Sequence, residues 1–305
     1  MAHLPLPFSH DVLCVGHASY DLIFSVPHHP RADDKIFADA LLACGGGPAA
    51  NAAVIVARLG FRAAFAGYLG HDLYGDSHFQ ELLREGVDTA WVVRGDQPTP
   101  LSVVLVKPDG ARALVNHKGD TRPLTAGAID FSAIRPKVVL FDGHEPALSV
   151  PLAARARTAG IATVLDAGSL HEGTRALMGQ VDFLVASEKF AKQWSGQDDA
   201  RAALAGLAES APAAVITLGE HGLAWRRNGE SGALAAFPVQ AIDTTGAGDA
   251  FHGAFAAALA ADMPWNELLR YASAAGALCC QRVGARPGMA HAAELRDFLA
   301  AHPLA

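Results

Sequence analysis

Seven consecutive residues, Asp243-Thr244-Thr245-Gly246-Ala247-Gly248-Asp249, could do chemistry as a unit. They follow a strand-like run and open a small-residue helix expected over Ala250 to Ala261. Small residues let the backbone turn tightly and come close to a ligand. The N–H groups of Gly246, Ala247 and Gly248 then point outward at a helix N-terminus, where the helix dipole favours an anion. Asp249 adds a carboxylate able to accept a proton. An anion cradle beside a base is the equipment for moving a phosphoryl group onto a hydroxyl. Glycines before a helix can also be a plain strand-to-helix turn, but the second Asp, the threonines and the helix start favour the chemical reading.

A second glycine run, Gly45-Gly46-Gly47-Pro48-Ala49-Ala50-Asn51, also precedes a helix. It lacks the Gly-x-Gly-x-x-Gly spacing of a dinucleotide site and the Gly-Lys-Ser/Thr ending of a P-loop. It is either a glycine turn or a sugar contact, in which the amides of Gly46 and Gly47 and the Asn51 side chain hydrogen-bond a polyol. Asn suits a polyol because it both donates and accepts. Asp21 is expected just past the first strand, at the carboxyl edge where open α/β sheets bind ligands. Arg112, Leu114 and Asn116 share one face of a predicted strand by period-two alternation. Asn116 is a candidate for a hydroxyl, and Arg112 for an anionic group. Lys35 is a similar candidate from an earlier segment.

The elements that must position these groups alternate along the chain. Short apolar strands are expected at Val12 to Gly16, Ala63 to Tyr68, Val138 to Asp142, Ala162 to Asp166, Phe183 to Ala186 and Val215 to Leu218. Helices are expected at Ala49 to Leu59, Gly75 to Glu85 and Leu148 to Thr158. This rhythm predicts an α/β fold, a doubly wound, mostly parallel sheet with helices on both faces. Two regions break it. Leu22 to Cys44 has strand-like pieces without a long helix, and Leu101 to Val106 with Arg112 to His117 read as a hairpin around Pro108-Asp109-Gly110. The expectation is one domain over 1–305 with a small β lid formed by about 17–45 and 99–120.

The 305 residues are 51% hydrophobic, ample for one large core. The net charge of −7, with no local basic cluster, argues against a nucleic-acid partner. Cys14, Cys44, Cys279 and Cys280 match no zinc motif and no disulfide framework, which suggests a reducing cytoplasm. Met1 to His10 has no signal-peptide pattern, and no apolar run reaches membrane-spanning length, so no membrane partner is expected.

The segment from Asp243 to Asp249 resembles the carboxy-terminal signature of the ribokinase-like (phosphofructokinase-B type) carbohydrate kinases, Asp-Thr-x-Gly-Ala-Gly-Asp. The Gly45–Asn51 run resembles that family's amino-terminal sugar motif, and Gly-Gly-Gly-Pro-Ala-Ala is closest in feel to the sulfofructose-kinase branch. The resemblance implies a ribokinase-like fold, ATP and Mg²⁺ as cofactors, K⁺ activation, and a homodimer formed through the lid. It implies that Asp249 is the base and that Asp21 grips sugar hydroxyls. Thr217-Leu218-Gly219-Glu220-His221-Gly222 is similar to the family's ATP-phosphate run, which makes Thr217, Gly219 and Gly222 nucleotide contacts. Ala272 to Gly276 and Arg282-Val283-Gly284-Ala285 resemble the adenine pocket and the monovalent-cation loop. Asp243 and Thr245 are implied to shape that loop and help a K⁺ site.

The chain also departs from the family. Ser187-Glu188-Lys189-Phe190 stands where many members have Asn-x-x-Glu, leaving Ser187 at the nucleotide and Glu188 to reach Mg²⁺ through water. Ser19 replaces a common Asn, which makes ribose a poorer guess. His252 also stands where many members have Asn. His144 follows Asp142 where the sulfofructose branch has an Arg. Lys35 and Asn116 are that branch's substrate contacts. The expected acceptor is therefore a ketohexose derivative, with 6-deoxy-6-sulfofructose first and fructose or a fructose phosphate next. The rivals are a nucleoside kinase and a catalytically weak sugar-binding protein of the same fold.

Overall fold

Alternate residues of buried parallel strands must feed two separate cores, and this chain supplies apolar residues for both. The computed structural model describes residues 8–303, so most of the Met1 to His10 reading lies outside the described residues. The first part of the chain forms β1 (His10–Val15), β2 (Ser19–Ser25), β3 (Ala40–Gly46), α1 (Pro48–Arg58), β4 (Ala63–Gly70) and α2 (Leu73–Arg84). Next come β5 (Asp88–Gly95), β6 (Leu101–Val106), β7 (Arg112–His117), β8 (Pro136–Phe141), α3 (Pro146–Thr158), β9 (Ala162–Ala167) and α4 (Glu172–Leu177). They are followed by β10 (Phe183–Ser187), α5 (Glu188–Ser195), α6 (Leu204–Ser210), β11 (Ala213–Thr217), β12 (Leu223–Arg227) and β13 (Glu230–Leu234). Four helices close the chain: α7 (Ala247–Ala260), α8 (Trp265–Cys279), α9 (Ala285–Gly288) and α10 (Ala292–Ala301).

The large sheet has nine strands in the order β13-β12-β11-β10-β9-β8-β1-β4-β5. It is parallel from β5 to β11, and β12 and β13 add antiparallel at one edge. Val12 and Cys14 of β1, Leu140 of β8 and Val185 of β10 face a core built with α1, α7 and α8. Leu13, Val15, Val139, Phe141 and Leu184 face the opposite core under α3 to α6. The continuous apolar runs thus mark strands buried on both faces. No helix among the described residues is long and apolar enough to cross a membrane.

The four strands β3-β2-β6-β7 form a second, smaller sheet. The hairpin β6–β7 has the bounds expected from the sequence, with Val103 opposite Val115. Asp21 does not sit past the carboxyl edge of β1. It lies inside β2, opposite Cys44 and Ser102, because the chain turns at Gly16 and enters the smaller sheet within three residues. The carboxylate at that edge of the large sheet belongs to Asp142, just beyond β8.

Asp142 explains the tight turn after β1. Its Oδ2 accepts from the N–H of His17 (2.7 Å) and of Ala49 (3.2 Å), and its Oδ1 accepts from that of His144 (2.9 Å). One carboxylate therefore joins the ends of β1 and β8 to the first turn of α1, where the helix dipole also favours a negative charge. Gly16 leaves room for it, since a Cβ there would lie 1.9 Å from Asp142 Oδ1. Gly16→Ala is expected to destabilise the fold by about 2–3 kcal/mol, seen as a melting temperature several degrees lower. An unchanged melting curve would contradict the clamp.

Candidate active site

Helix α7 begins at Gly246, which adopts a left-handed conformation (φ 78°) and serves as the N-cap. The helix starts at Ala247, three residues before the sequence expectation, so Asp249 lies in its first turn. The N–H of Ala247 meets the Thr244 carbonyl at 3.3 Å. The N–H groups of Gly246, Gly248 and Asp249 have no protein acceptor among the described residues. Three free donors at a helix start form an anion site in the making. The loop is braced from within. Asp243 Oδ1 accepts from Thr245 N (2.9 Å) and Oγ1 (2.6 Å), and its Oδ2 accepts from Gly284 N (2.8 Å).

Arg112 does not lie free beneath the smaller sheet. Its Nη1 donates to Thr245 Oγ1 at 2.6 Å and sits 3.7 Å from Asp243 Oδ1. The side chains of Asp243 and Thr245 thus brace the loop through one another, through Gly284 and through Arg112. Among the described residues no group of three or more His, Cys, Asp or Glu is arranged to hold a metal ion.

Thr217, Gly219 and Gly222 line one cavity with Ala247 and Gly248 of the loop, about 650 Å³ in volume. Two other candidates are not part of its lining. Ser187 is the N-cap of α5: its Oγ accepts from Phe190 N (3.0 Å) and donates to the Gly168 carbonyl (2.8 Å). Glu188 pairs with Lys192 at 2.8 Å, one helical turn on, and borders an adjoining hollow that shares Glu220 and Ala236 with the first.

On the other side of Asp249 stand the sugar candidates. Asn51, in the first turns of α1, donates from Nδ2 to Asp249 Oδ2 at 2.7 Å. Asp21 lies against the glycine strand, and a Cβ on Gly46 would fall 2.2 Å from its Oδ2. A Cβ on Gly47 would strike the His17 carbonyl at 2.5 Å. The two glycines are required by this close approach. Asn116 is opposite Ser102, which is opposite Asp21, so all three lie in one cross-strand row on one face. Lys35 lies apart from this group, in the exposed segment between β2 and β3, with its Nζ 5.9 Å from the centre of the Phe37 ring.

The electrostatics favour a proton acceptor of raised affinity. Burial pushes the Asp249 carboxyl above its ordinary value. The Asn51 bond and the His252 ring oppose this, while the charges of Asp21 and Asp142 add to it. Burial also pushes Asp21 upward. His252 lies beneath the loop, with Nδ1 2.6 Å from the Gly248 carbonyl and 3.2 Å from Asp166 Oδ2, and Nε2 3.2 Å from the Val185 carbonyl.

Three imidazoles stand on adjacent strand ends: His17 after β1, His144 after β8 and His171 after β9. The first pair of ring centres is 5.2 Å apart, and the second pair, stacked, is 4.6 Å apart. Burial, and then the neighbouring His144, hold His17 down at about 4, so it is an uncharged hydrogen-bonding group at neutral pH. Sequence reasoning missed Asp142, although the motif Asp142-Gly143-His144 was in view. It also missed Arg286, whose Nε donates to Asn51 Oδ1 at 2.7 Å.

The chain as a whole has known counterparts. Residues 9–292 match the pfkB family carbohydrate kinases. The chain belongs to that family. It is 28% identical to a ribokinase of Haemophilus influenzae over 93% of this chain and 97% of that protein. It is 30% identical to fructokinase-1 of Zea mays over 86% of this chain and 90% of that one. The structure of Arabidopsis thaliana ribokinase complexed with ribose and ATP superposes with a TM-score of 0.83, at 26% identity over 95% of this chain and 99% of that one.

Gly246 is the position where this loop tolerates least. A Cβ there would meet Ala285 Cβ at 2.4 Å, and a left-handed backbone costs an L-residue about 1–2 kcal/mol. Gly246→Ala should lower turnover by more than about tenfold, because displacement of reacting groups by ~1 Å can cost about 10²-fold. The comparison is kcat against a melting curve. A large loss of stability with unchanged kcat would mean that the loop does not position the chemistry.

Proposed function

We propose that this family member transfers the γ-phosphoryl group of ATP to a hydroxyl of a ketohexose. The observation that carries the reading is the start of α7, where Ala247 and Gly248 wall the cavity lined by Thr217, Gly219 and Gly222, Asp249 lies in the same first turn, and the N–H groups of Gly246, Gly248 and Asp249 have no protein acceptor among the described residues. Asp249 takes the proton from a substrate hydroxyl. The oxygen attacks the γ-phosphorus in line, and ADP leaves. The N–H groups of Gly246 and Gly248 hold the growing negative charge, worth about 3–4 kcal/mol per well-aimed donor. Mg²⁺ bound with the nucleotide would supply neutralisation of phosphate charge, and Glu188 would hold it through water.

Asp21, Asn51, the Gly46–Gly47 backbone and Asn116 are suited to a neutral polyol. Arg112 is engaged by Thr245, and His17 is uncharged, which favours fructose over an anionic sugar. Lys118 supports the anionic alternative, 6-deoxy-6-sulfofructose or a fructose phosphate. Its positive charge falls on His17 and His171 at the strand ends. Free thiols at all four cysteines support a reducing, cytoplasmic setting.

The smaller sheet closes over the sugar in this reading. Its outer face carries Leu22, Phe24, Leu41, Val103, Leu105 and Val115, with Leu41 58% and Val115 66% exposed. An apolar face of this kind supports a homodimer formed sheet to sheet. Val115→Asp should convert a dimer into a monomer in sedimentation. A wild-type chain that sediments as a monomer at micromolar concentration would remove the dimer.

ADP release is the direct test, measured with fructose, 6-deoxy-6-sulfofructose, fructose phosphates, ribose and nucleosides as acceptors. A protein that only binds sugar shifts its melting temperature and releases no ADP. Asp249→Asn should lower kcat by about 10³-fold or more with little change in melting temperature. Wild-type turnover should fall as pH drops through the raised value of Asp249, because only the ionised carboxylate accepts the proton. Near-normal turnover in Asp249→Asn would take the base role away from that residue.

A further inference from the structure

Arg286, in the short helix α9, is only 2% exposed. A guanidinium is seldom buried unless it is paired, and it carries donors alone. Its Nη1 meets Glu81 Oε1 at 3.2 Å, its Nη2 donates to His78 Nε2 at 2.9 Å, and its Nε donates to Asn51 Oδ1 at 2.7 Å. Glu81 also accepts the Gly45 N–H at 2.7 Å, which ties the pair to the glycine strand. The backbone around Arg286 is held as well. Arg58 Nη1 donates to the carbonyls of Arg286 (2.6 Å) and Met289 (2.8 Å), while Nη2 of Arg58 pairs with Glu85 at 2.7 Å.

The contact with Asn51 has a directional consequence. The two ends of an Asn amide have nearly the same shape and opposite hydrogen-bonding sense. A donor on one side forces the oxygen to that side and the NH₂ group to the other. Here the other side is Asp249, and Nδ2 reaches its Oδ2 at 2.7 Å. A flipped amide would put an oxygen against the carboxylate.

We propose that Arg286 is a positioning residue for phosphoryl transfer, locking the Asn51 amide so that its NH₂ group is delivered to the Asp249 carboxylate. This rests on Asp249 being the base. The lock keeps the carboxylate ionised and aimed while substrate comes and goes. The remaining groups facing Asp249 are His252 on α7, Asp21 on β2, Asp142 beyond β8, Asp166 on β9 and Cys279 on α8. None of these fixes the orientation of Asn51.

Two substitutions separate the lock from the salt bridge. In Arg286→Gln the side-chain amide nitrogen takes the place of Nε, so the donor to Asn51 is kept. In Arg286→Met a methyl group stands there and the donor is lost. Both remove the ion pair with Glu81, and the same pair made on Glu81→Gln relieves the orphaned carboxylate should folding suffer.

Arg286→Met is expected to lower kcat by about tenfold or more relative to Arg286→Gln, with KM for ATP alike in the two. The acid limb of its kcat–pH profile should move to higher pH, because the bond that favours the ionised carboxylate is gone. Equal kcat and equal pH limbs in the two variants, at matched melting temperatures, would overturn the proposal. So would a kcat–pH profile shifted in Arg286→Gln as far as in Arg286→Met. If Asp249→Asn keeps its turnover, the base assignment fails by itself, and that result is distinct from a Gln–Met difference.

Discussion

The close approach of α1 and α7 is the constraint from which the site follows. A Cβ on Gly253 would lie 2.2 Å from Ile55 Cγ2 and 2.7 Å from the Ala52 carbonyl, so α7 can come this near to α1 only with glycine at that position. The facing surfaces are small: Ala49, Ala50, Ala52 and Ala53 on one helix and Ala250, Ala254 and Ala257 on the other, all buried. Small side chains bring the two helix starts side by side. Asn51 and Asp249, each near the beginning of its helix, then face one another across 2.7 Å. A larger residue along that seam would separate the two groups without touching either.

Bringing helix starts together also settles an electrostatic problem. Asp21, Asp142, Asp166 and Asp249 crowd one region: beyond burial, the charges of Asp21 and Asp142 make Asp249 harder to ionise, and those of Asp249 and Asp142 do the same to Asp166. What offsets this is largely not opposite charge but oriented dipoles. Asp142 accepts three backbone N–H groups, and Asp249 sits in the first turn of α7 with a side-chain amide on one oxygen. Such dipoles are fixed before any ligand arrives, which is the condition for stabilising charge without reorganisation. Any anion brought into this region adds more negative charge, and the N–H groups of Gly246 and Gly248, without a protein acceptor among the described residues, are the dipoles left to offset it.

The parts of this design legible in the sequence are those in which residues adjacent in the chain act together. The loop from Asp243 to Asp249, the glycine run before α1, the α/β alternation and the hairpin β6–β7 are local patterns. The errors share a different origin. Asp21 was placed by counting from β1, but the sharp turn at Gly16 sends it into the smaller sheet. Ser187 and Glu188, whose types suit a nucleotide–metal site, also have partners local to α5, a capping bond and an i,i+4 ion pair. Asp142 and Arg286 act on residues 93 and 235 positions away, and no spacing rule joins them. Burial gave the one available hint for Arg286, and burial is a property of the fold.

The same long-range contacts make the smaller sheet and the anion loop one mechanical unit. Arg112, at the start of β7, holds Thr245. Thr245 shares Asp243 with the N–H of Gly284. Gly284 in turn packs under the smaller sheet, where a Cβ would lie 2.7 Å from Leu42 and 3.1 Å from Ile23. Ala285 and Arg286 follow, the first against Gly246 and the second on Asn51. A displacement of β2 or β3 therefore reaches the loop through Gly284 and reaches Asp249 through Arg286 and Asn51. Since Asp21 lies in β2 and Asn116 in the same sheet, a shift at either is transmitted to Asp249 by contact rather than by distant field.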